Sequence, residues 1–430
     1  MNYQIDLQNR EQLSLNSSEL SDIKELYQQR NDSLDAFKQA SLPSRKVEHW
    51  KYNDMTFLKE GEFELATQTR PMPTSYPAIA IEDAIELHFN NGVLANDLAA
   101  LDLPQGLRIR KLQECSADKI SLLAKMNQVN EKNMLLNLNQ ALCDNIIVIE
   151  TLDNVQLNQM IYIKHLTSDL QNNAIASSQI FVMVGRSSEL SILEQFESEL
   201  TNAITLSLQQ SFFQLSENSH VKHYRLNVEK DSAHQVGQVK ATLEKDAVFD
   251  SFYLGLGSKL NRTDIDILHQ GNNAHVELNG IYLPANEQRI DYHSNIEHQV
   301  PHCTSNEIFR GIIADKSSAV FNGKIHIFKD AQKSDAFLNN KNLLLTNQAE
   351  VNTKPELEIY ADDVKCAHGA TVAQLDDKSV YYLQTRGINK KRARKMLSIA
   401  FIQELVNKVK QDAVRKHLVS LLDDYMSHID

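Results

Sequence analysis

Short apolar runs with period-two alternation recur through the middle of the chain, and they restrict its fold more than any other feature. They extend from about residue 79 to residue 363 and are rich in Val, Ile, Phe and Tyr. After residue 220 they lie about 10 to 20 residues apart, with centres near Val239, Phe252, Ile265, Val276, Ile290, Ile308, Ile325, Leu344 and Ile359. Few intervening segments could hold the helix that a βαβ crossover requires. The pattern predicts a mainly β core.

Regularly spaced strands are compatible with a sandwich, a barrel or a β-solenoid. The 430 residues include only 13 Gly and 8 Pro, too few to mark a tight hairpin after every strand. Stacked coils turn instead through wider corners, often built from Asn, Asp and Ser. Residues 270–273 and 338–342 are predicted to be corners of this kind. The solenoid is the preferred interpretation, and such a body presents flat surfaces more readily than it encloses a pocket.

Helical patterns precede the β core. Apolar residues recur at helical spacing from residue 18 to about residue 40, with an interruption near residues 31–33, and Pro43 ends the run. This pattern predicts a helical hairpin or pair. The following segment, 45–52, carries the only tryptophan of the chain, Trp50, among alternating charges. We interpret Trp50 as an anchor that packs this linker onto the body.

Helical patterns also follow the core. Asp376 or Asp377 is predicted to cap a first helix over 378–386, which Gly387 ends. Two further helices are predicted, one capped by Asn389 and one over 412–428. A helix hairpin here could close the strand stack or receive another protein. The predicted units are a helical region over 1–75, a β-helix over 76–368 and a helical domain over 369–430.

The charge balance argues against nucleic acid and membrane surfaces as partners. The formal net charge of -12 repels phosphate backbones and anionic headgroups. The basic segment 390–395 could bind an anion but is interpreted as a solvated helix face. No window approaches the roughly 18 apolar residues of a membrane span, and the start lacks the pattern of a signal peptide. The predicted location is cytoplasmic, where the four cysteines stay reduced.

Familiar catalytic motifs are missing from the sequence. It contains no P-loop, no G-x-S-x-G elbow, no H-E-x-x-H pair and no C-x-x-C pair. What remains is a group of sulfur and imidazole donors, most of them read as structural: His293, His298, His302, Cys303, His326, Cys366 and His368.

Cys366 and His368 form the sharpest pair. On an extended segment, residues i and i+2 point to the same face. Two donors make only half of a metal site. The pair therefore indicates a site shared with another chain, or no metal at all, and the sequence leaves both possibilities open.

Two segments resemble a known family. Residues 363–372, D-V-K-C-A-H-G-A-T-V, followed by Y-Y-L-Q-T-R-G-I at 381–388, are similar to the C-terminal signature of the SufB/SufD iron-sulfur assembly scaffolds. The segment 45–52 resembles the N-terminal motif of the same family. The C-x-H-G-A-T form is similar to the SufD branch, whereas the SufB branch usually has an acidic segment there. Ala367 and Ala373 are conservative departures from the family pattern.

The resemblance implies a right-handed parallel β-helix between helical regions, and a non-catalytic scaffold role. It implies a complex with a SufB-type scaffold, paired through the β-helix ends, and with two copies of a SufC-type ATPase, while the isolated chain could form a homodimer. No cofactor is expected to stay bound to the isolated chain. His368 would help to hold a transient iron-sulfur cluster at the interface, with Cys366 as buried support or occasional ligand. The predicted ATPase-binding residues are Tyr382, Arg386, Gly387, Arg392, Met396 and Phe401.

Two alternatives remain open. One is a SufB-like role, in which this chain carries the cluster itself. The other is a β-helix carbohydrate-active enzyme, for which the alternation of Arg289, Asp291 and His293 is the nearest candidate site.

Overall fold

The computed structural model describes residues 24–44, 46–66, 81–129, 133–168, 170, 172–199 and 203–428. The part of the predicted N-terminal helices before residue 24, Arg45 of the N-terminal motif and the predicted boundary at 75/76 lie outside the described residues. The predicted interruption near residues 31–33 is wrong, because one helix runs from Lys24 to Gln39. The helices are α1 (Lys24–Gln39), α2 (Phe57–Glu60), α3 (Ala117–Met126), α4 (Met134–Leu142), α5 (Asp377–Thr385), α6 (Lys390–Lys408) and α7 (Asp412–His428).

The strands of the first half are β1 (Glu64–Leu65), β2 (Ile85–Asn90), β3 (Val93–Leu94), β4 (Leu107–Lys111), β5 (Ile146–Thr151), β6 (Gln156–Thr167), β7 (Ala174–Val184), β8 (Glu189–Ser198), β9 (Thr205–Leu215) and β10 (His220–Asn227). Those of the second half are β11 (Ala233–Leu243), β12 (Val248–Leu256), β13 (Leu260–His269), β14 (His275–Leu283), β15 (Arg289–His298), β16 (Thr304–Ile313), β17 (Ser318–Ile327), β18 (Asp335–Leu344), β19 (Glu350–Ile359) and β20 (Lys365–Gln374). The predicted boundary at residue 368 falls inside β20, which continues to Gln374.

The strands form two ten-stranded sheets, and from β5 onward successive strands alternate between them. Sheet I has the order β19-β17-β15-β13-β11-β9-β7-β5-β4, with β1 beside β7, and sheet II has the order β20-β18-β16-β14-β12-β10-β8-β6-β2-β3. Pairing between coils is parallel, so Leu260 lies in register with Arg289, and Arg289 with Ser318. The predicted parallel β-helix is confirmed, with about seven coils.

The corners explain how the chain turns with so little glycine. One column consists of residues in the left-handed conformation: Asn154, Ser187, Asn218, Asp246, Asn273, His302 and Lys333. Each of their N–H groups donates to a carbonyl of the next coil, as His302 does to Gln332 at 2.9 Å. Asn and Asp tolerate positive φ better than other non-glycine residues. The predicted corner at residues 270–273, which ends on Asn273, is confirmed.

The second predicted corner is wrong, because residues 338–342 lie within β18. Two of its asparagines are buried and satisfied by side chains. The Asn342 amide donates to Asn340 Oδ1 at 2.6 Å, and the Asn340 amide donates to the Tyr282 hydroxyl at 2.9 Å. A run of asparagines here indicates a polar ladder inside the coil rather than a turn.

The interior of the β-helix is apolar along much of its length but contains buried ionisable groups. Glu194 faces inward, because it lies two residues after Ile192 of the main core on the same strand. Arg225 is in register with Glu194 on the neighbouring strand and faces inward too. The Arg225 Nη1 lies 3.4 Å from Glu194 Oε2, and His223 Nε2 lies 2.9 Å from Oε1. Burial alone would raise the pKa of Glu194, but the His223 hydrogen bond and the Arg225 charge lower that pKa to about 2. The carboxylate is therefore ionised and paired inside the coil.

Trp50 fixes the N-terminal linker on the outer face of sheet I. Its ring is buried in a cluster with Leu206 and Val236, and the Arg262 guanidinium lies 4.2 Å from the ring centroid. Helix α1 packs against α4, which covers β9 and β11 of the same sheet. The predicted anchoring role of Trp50 is confirmed.

The C-terminal helices begin and end close to the predicted positions. The Asp376 side chain accepts from the N–H groups of Lys378 and Ser379, Gly387 has a φ of 83°, and the Asn389 side chain accepts from the Arg392 N–H. These contacts cap α5 and α6 as the sequence predicts.

Helices α6 and α7 do not close the strand stack, which was one of the two roles that the sequence left open for them. Their apolar stripe packs on the outer face of sheet II, because that face carries its own apolar column; the cluster joins Tyr162, Leu193, Tyr224, Leu226, Phe252, Leu254, Ile402, Leu405, Val409, Val414, Leu418 and Leu422. Ion pairs at 2.6 Å from Lys408 to Glu277 and from Lys410 to Asp250 fix the hairpin along the sheet. The end of the solenoid is therefore formed by β19 and β20.

Glu307 makes the free energy of unfolding depend on pH. Burial raises its pKa to about 8 from an ordinary 4.5, against one hydrogen bond from Ser294. Between these pH values the unfolded chain loses this proton and the folded chain keeps it, so the Glu307 contribution to the free energy of unfolding falls as pH rises. We expect Glu307→Gln to raise that free energy by about 1–3 kcal/mol at pH 7 and to change it little at pH 4.5, as urea denaturation would measure.

Glu277→Gln is the matched control for this prediction. Burial acts to raise the pKa of Glu277, but hydrogen bonds from Lys408 and Asn306 outweigh it and lower the pKa. This substitution should therefore reduce stability at pH 7. A Glu307→Gln effect of the same size at both pH values would contradict the assignment.

Candidate functional site at the open end of the β-helix

The two ends of the solenoid differ. At its start, the sheets finish with antiparallel strands, β3 beside β2 and β4 beside β5. At its other end, β19 and β20 each pair with a single strand in their sheets, and in the described part of the chain nothing pairs with their outer edges. Free backbone N–H and C=O groups on an edge strand are a template for pairing with another chain. This end therefore has the geometry of a docking surface.

Exposed apolar side chains concentrate beside this edge. Of the thirteen large hydrophobic side chains that are exposed among the described residues, seven fall between residues 328 and 382. A concentration of exposed apolar surface marks an interaction site more often than scattered single residues do. The seven are Phe328, Phe337, Ile359, Tyr360, Val372, Tyr381 and Tyr382. Only Tyr382 was predicted as a site residue, and sequence reasoning missed the other six, because a single apolar residue on or beside a strand or helix does not indicate exposure.

Cys366 and His368 lie together on the inner side of the last strand. Cys366 is in register with Ala336 and His368 with Leu338, two residues of the interior core. Cys366 is half-buried against that core, whereas His368 is exposed. The prediction that both donors share one face of an extended segment is confirmed. In the described part of the chain, no further coil covers this inner side.

The Cys366 thiol is not an activated nucleophile in this chain alone. Burial raises its pKa, and the neighbouring Asp335 charge raises it further, against a hydrogen bond from the Ala336 backbone. A protonated thiol is a poor metal ligand and a poor nucleophile. A docked cation or a metal ion would favour the thiolate, so the site becomes chemically competent only when something is added to it.

The other five candidate sulfur and imidazole donors lie in three other places: the buried interior, the corner column and the outer face of sheet I. Cys303 is buried, with its thiol directed at the Gly271 and Pro301 carbonyls, 3.4 and 3.6 Å away. His298 is buried beside Ser305, and burial lowers its pKa to about 2. His302 is exposed and occupies its place in the corner column.

The other two histidines lie on the outer face of sheet I. His293 lies 2.9 Å from Asp291, and His326 stacks on Phe328 at 4.1 Å between ring centroids. Within the described residues, no group of three or more His, Cys, Asp or Glu side chains is arranged to hold a metal ion. A metal site built on Cys366 and His368 would therefore need further ligands from another chain.

In the candidate carbohydrate-active site, Arg289 and Asp291 bind the linker around Trp50. The Asp291 carboxylate is buried and paired with Arg262 at 3.2 Å, and it also accepts from Asn53 of the linker. Arg289 donates to Ser318 Oγ at 2.8 Å and to the Tyr52 carbonyl. A glycosidase needs two carboxyl groups facing a sugar across an open cleft, and this arrangement does not provide them.

The residues predicted to bind an ATPase lie on α5 and α6, next to the open end. Tyr382 is 57% exposed, and the Arg386 guanidinium lies 5.3 Å from its ring centroid. Gly387, in the left-handed conformation, has no atom within 4 Å of where a Cβ would be. Arg392 and Met396 are exposed, but Phe401 is partly buried against the cluster under the hairpin. Five of the six thus form an accessible surface, and Phe401 is mainly a packing residue.

Comparison with known families follows this geometry. Residues 165–401 match the model for the SUF system FeS cluster assembly, SufBD core domain, and residues 4–163 match the SufBD protein N-terminal region. The chain belongs to the SufBD family of iron-sulfur cluster assembly proteins. The resemblance that the two sequence motifs carry is thereby confirmed over most of the chain.

Several SufBD relatives are similar along nearly their whole length. The iron-sulfur cluster assembly protein SufD of Escherichia coli (strain K12) is 27% identical over 395 residues, 91% of each chain. A SufBD family protein of Synechocystis is 28% identical over 396 residues, 89% of this chain and 87% of the relative. Protein ABCI7, chloroplastic, of Arabidopsis thaliana is 26% identical over 427 residues, 95% of this chain and 88% of the relative. Among the described residues, no helix is long and apolar enough to cross a membrane.

Thiol accessibility tests where the cysteines lie. With iodoacetamide under native conditions, we expect Cys366 and Cys115, which are half-buried, to be alkylated, and the buried Cys143 and Cys303 to stay unmodified. Burial also raises the pKa of Cys143 to about 12, which keeps its thiol protonated. Peptide mass spectrometry measures the four sites separately, with the urea-unfolded chain as control. Alkylation of Cys303 as fast as Cys366 would contradict this placement.

Proposed function

We propose that this chain is a non-catalytic scaffold subunit that acts in iron-sulfur cluster assembly, in the manner of a SufD. The single observation that carries the proposal is the unpaired last coil, which presents Cys366 and His368 on its inner side. Family membership gives the general role, and the open end indicates where a partner would act. A cytoplasmic location is proposed with it, although one relative is named as chloroplastic.

The partner at the open end is proposed to be a SufB-type scaffold. The edges of β19 and β20 could pair with the terminal strands of a second β-helix, which would extend both sheets across the interface. Val372, 49% exposed and in register with the buried Asn342, would then lie inside a continuous interior. A second copy of this chain could use the same edges in isolation, which accounts for a homodimer when the partner is missing.

The partner on the C-terminal helices is proposed to be a SufC-type ATPase. Tyr382 and Arg386 supply an aromatic and an arginine side chain, the residue types that contribute most at protein interfaces. Because α6 and α7 are fixed to sheet II by Lys408 and Lys410, a pull on these helices would be transmitted to the β-helix. Motion of two ATPases could therefore open the scaffold interface and admit iron and sulfide.

The nascent cluster is the cargo of this site. His368 would offer a neutral imidazole nitrogen to iron, and such a ligand binds a cluster less tightly than thiolate does, which suits a cluster that must later leave. Cys366 would support the strand or ligate in turn, and the remaining ligands would come from the partner scaffold.

Two substitutions separate the partners and serve as controls for each other. With the SufB-type and SufC-type partners of the same organism co-expressed, Val372→Asp should weaken scaffold pairing at least about tenfold, because a charge would be buried. It should leave the ATPase bound. Tyr382→Ala should have the reverse effect. Affinity pull-down with intact-complex mass measures both, and the wild-type chain should carry one scaffold partner and two ATPases. Recovery of the wild-type chain without either partner would reject the proposal.

The cargo role of His368 is tested within the intact complex. His368→Ala should leave the subunit composition unchanged and reduce the iron and sulfide retained after anaerobic loading by about tenfold. His302→Asn is the control, because it removes another exposed histidine and Asn tolerates its left-handed backbone. Cys366→Ser, measured in parallel, distinguishes a ligand from a packing residue. Full cluster content in the His368→Ala complex would remove His368 from the mechanism.

A further inference from the structure

A cavity of about 350 Å³ lies beneath the first turns of α6. Its walls come from α6, from the end of α7 and from the residue that follows β18. This volume is within the range of small-molecule sites. The lining residues are Leu345, Asn389, Lys391, Arg392, Arg394, Lys395, Ser398, Met426 and Ser427.

Positive charge is unusually dense in this cavity for an acidic chain. Positions 391, 394, 395 and 398 follow the i, i+3, i+4, i+7 spacing, so their side chains share one face of α6. The Arg394 Nη2 donates to the Leu345 carbonyl at 2.6 Å, and the Lys395 Nζ donates to the Asp423 carbonyl at 3.2 Å. In the described part of the chain, neither of these cations nor Arg392 forms an ion pair. Neutral carbonyls thus position Arg394 and Lys395 without neutralising their charges.

Ser398 provides a second and independent indication of a ligand. Its side chain is 1% exposed, it lines the cavity, and its hydroxyl has no hydrogen-bond partner within the described structure. Leaving a buried hydroxyl unpaired is energetically unfavourable. A ligand that accepts from this hydroxyl would remove that cost. The first turn of the 19-residue α6 contains no acidic residue, so the helix dipole adds to the positive potential at the same place.

We propose that this cavity binds a small organic phosphate. The phosphate would be held by Arg392, Arg394 and Lys395 with the Ser398 hydroxyl, and the apolar part of the ligand would lie against Leu345 and Met426. Three cations and a hydroxyl donor match the several oxygens of a phosphate better than the two of a carboxylate. The apolar walls favour a ligand with an organic body over a bare inorganic anion.

Phenyl phosphate is a suitable probe because it joins an anionic head to a small apolar body. Isothermal titration calorimetry with the full chain, in the absence of any partner, should give one site per chain. Inorganic phosphate should compete for that site with lower affinity, and phenol should not bind. Since the measurement needs no partner, its result is independent of the scaffold role proposed above.

Lys395→Gln should weaken phenyl phosphate binding about tenfold or more, the loss expected for one charge-assisted hydrogen bond. Lys390→Gln removes the same charge from the same turn but does not line the cavity, so it should change the affinity less than about twofold by screened, long-range charge alone. Ser398→Ala should also weaken binding while leaving the helix intact.

Three results would overturn the proposal. The first is no measurable heat with millimolar phenyl phosphate, and the second is equal loss in Lys390→Gln and Lys395→Gln, which would indicate general electrostatic attraction. The third is binding of phenol as tight as that of phenyl phosphate, which would indicate an apolar cavity only. Circular dichroism of each variant establishes that a loss of binding is not a loss of folding.

Discussion

Hydrogen bonding between successive parallel coils is the interaction on which the rest of this structure depends. Each strand between the ends is paired on both sides, and each corner residue of the column donates to the coil that follows. Such a stack satisfies its backbone only where another coil exists. Its last coil therefore carries unsatisfied donors and acceptors by construction. The open end is a consequence of the architecture rather than an addition to it.

The packing position of the C-terminal helices decides which surfaces of the β-helix stay accessible. Because α6 and α7 cover the face of sheet II, they leave the edges of β19 and β20 accessible and present their own outer surface beside that end. The linker around Trp50 does the equivalent on sheet I, where Arg262 connects the indole ring to Asp291. Two faces are thus covered by the chain itself, and in the described part of the chain one end is left uncovered. In the function proposed above, a cluster carried at that end would lie between two chains, where separation of the chains could release it.

Burial within the coil also distinguishes between histidine and cysteine residues that carry the same metal-binding atoms. His298 and Cys303 have the same donor atoms as His368 and Cys366, yet they are buried, with His298 Nε2 beside Ser305 and the Cys303 thiol directed at a carbonyl group. Their position excludes them from any shared site. The difference arises from the coil on which each lies, since only the last coil has an uncovered inner side.

The sequence by itself determined the β-helix, the ends of α5, α6 and α7, the anchoring role of Trp50 and the pairing of Cys366 with His368 on one face. These follow from local periodicity, caps and burial preference, which act over a few residues. Only the tertiary structure decided that residues 338–342 form a buried asparagine ladder, that the helix hairpin lies along sheet II, and that the cations of α6 surround a cavity containing Ser398. Those outcomes depend on which coil or helix lies opposite a side chain, and contacts between residues distant in sequence leave no local pattern.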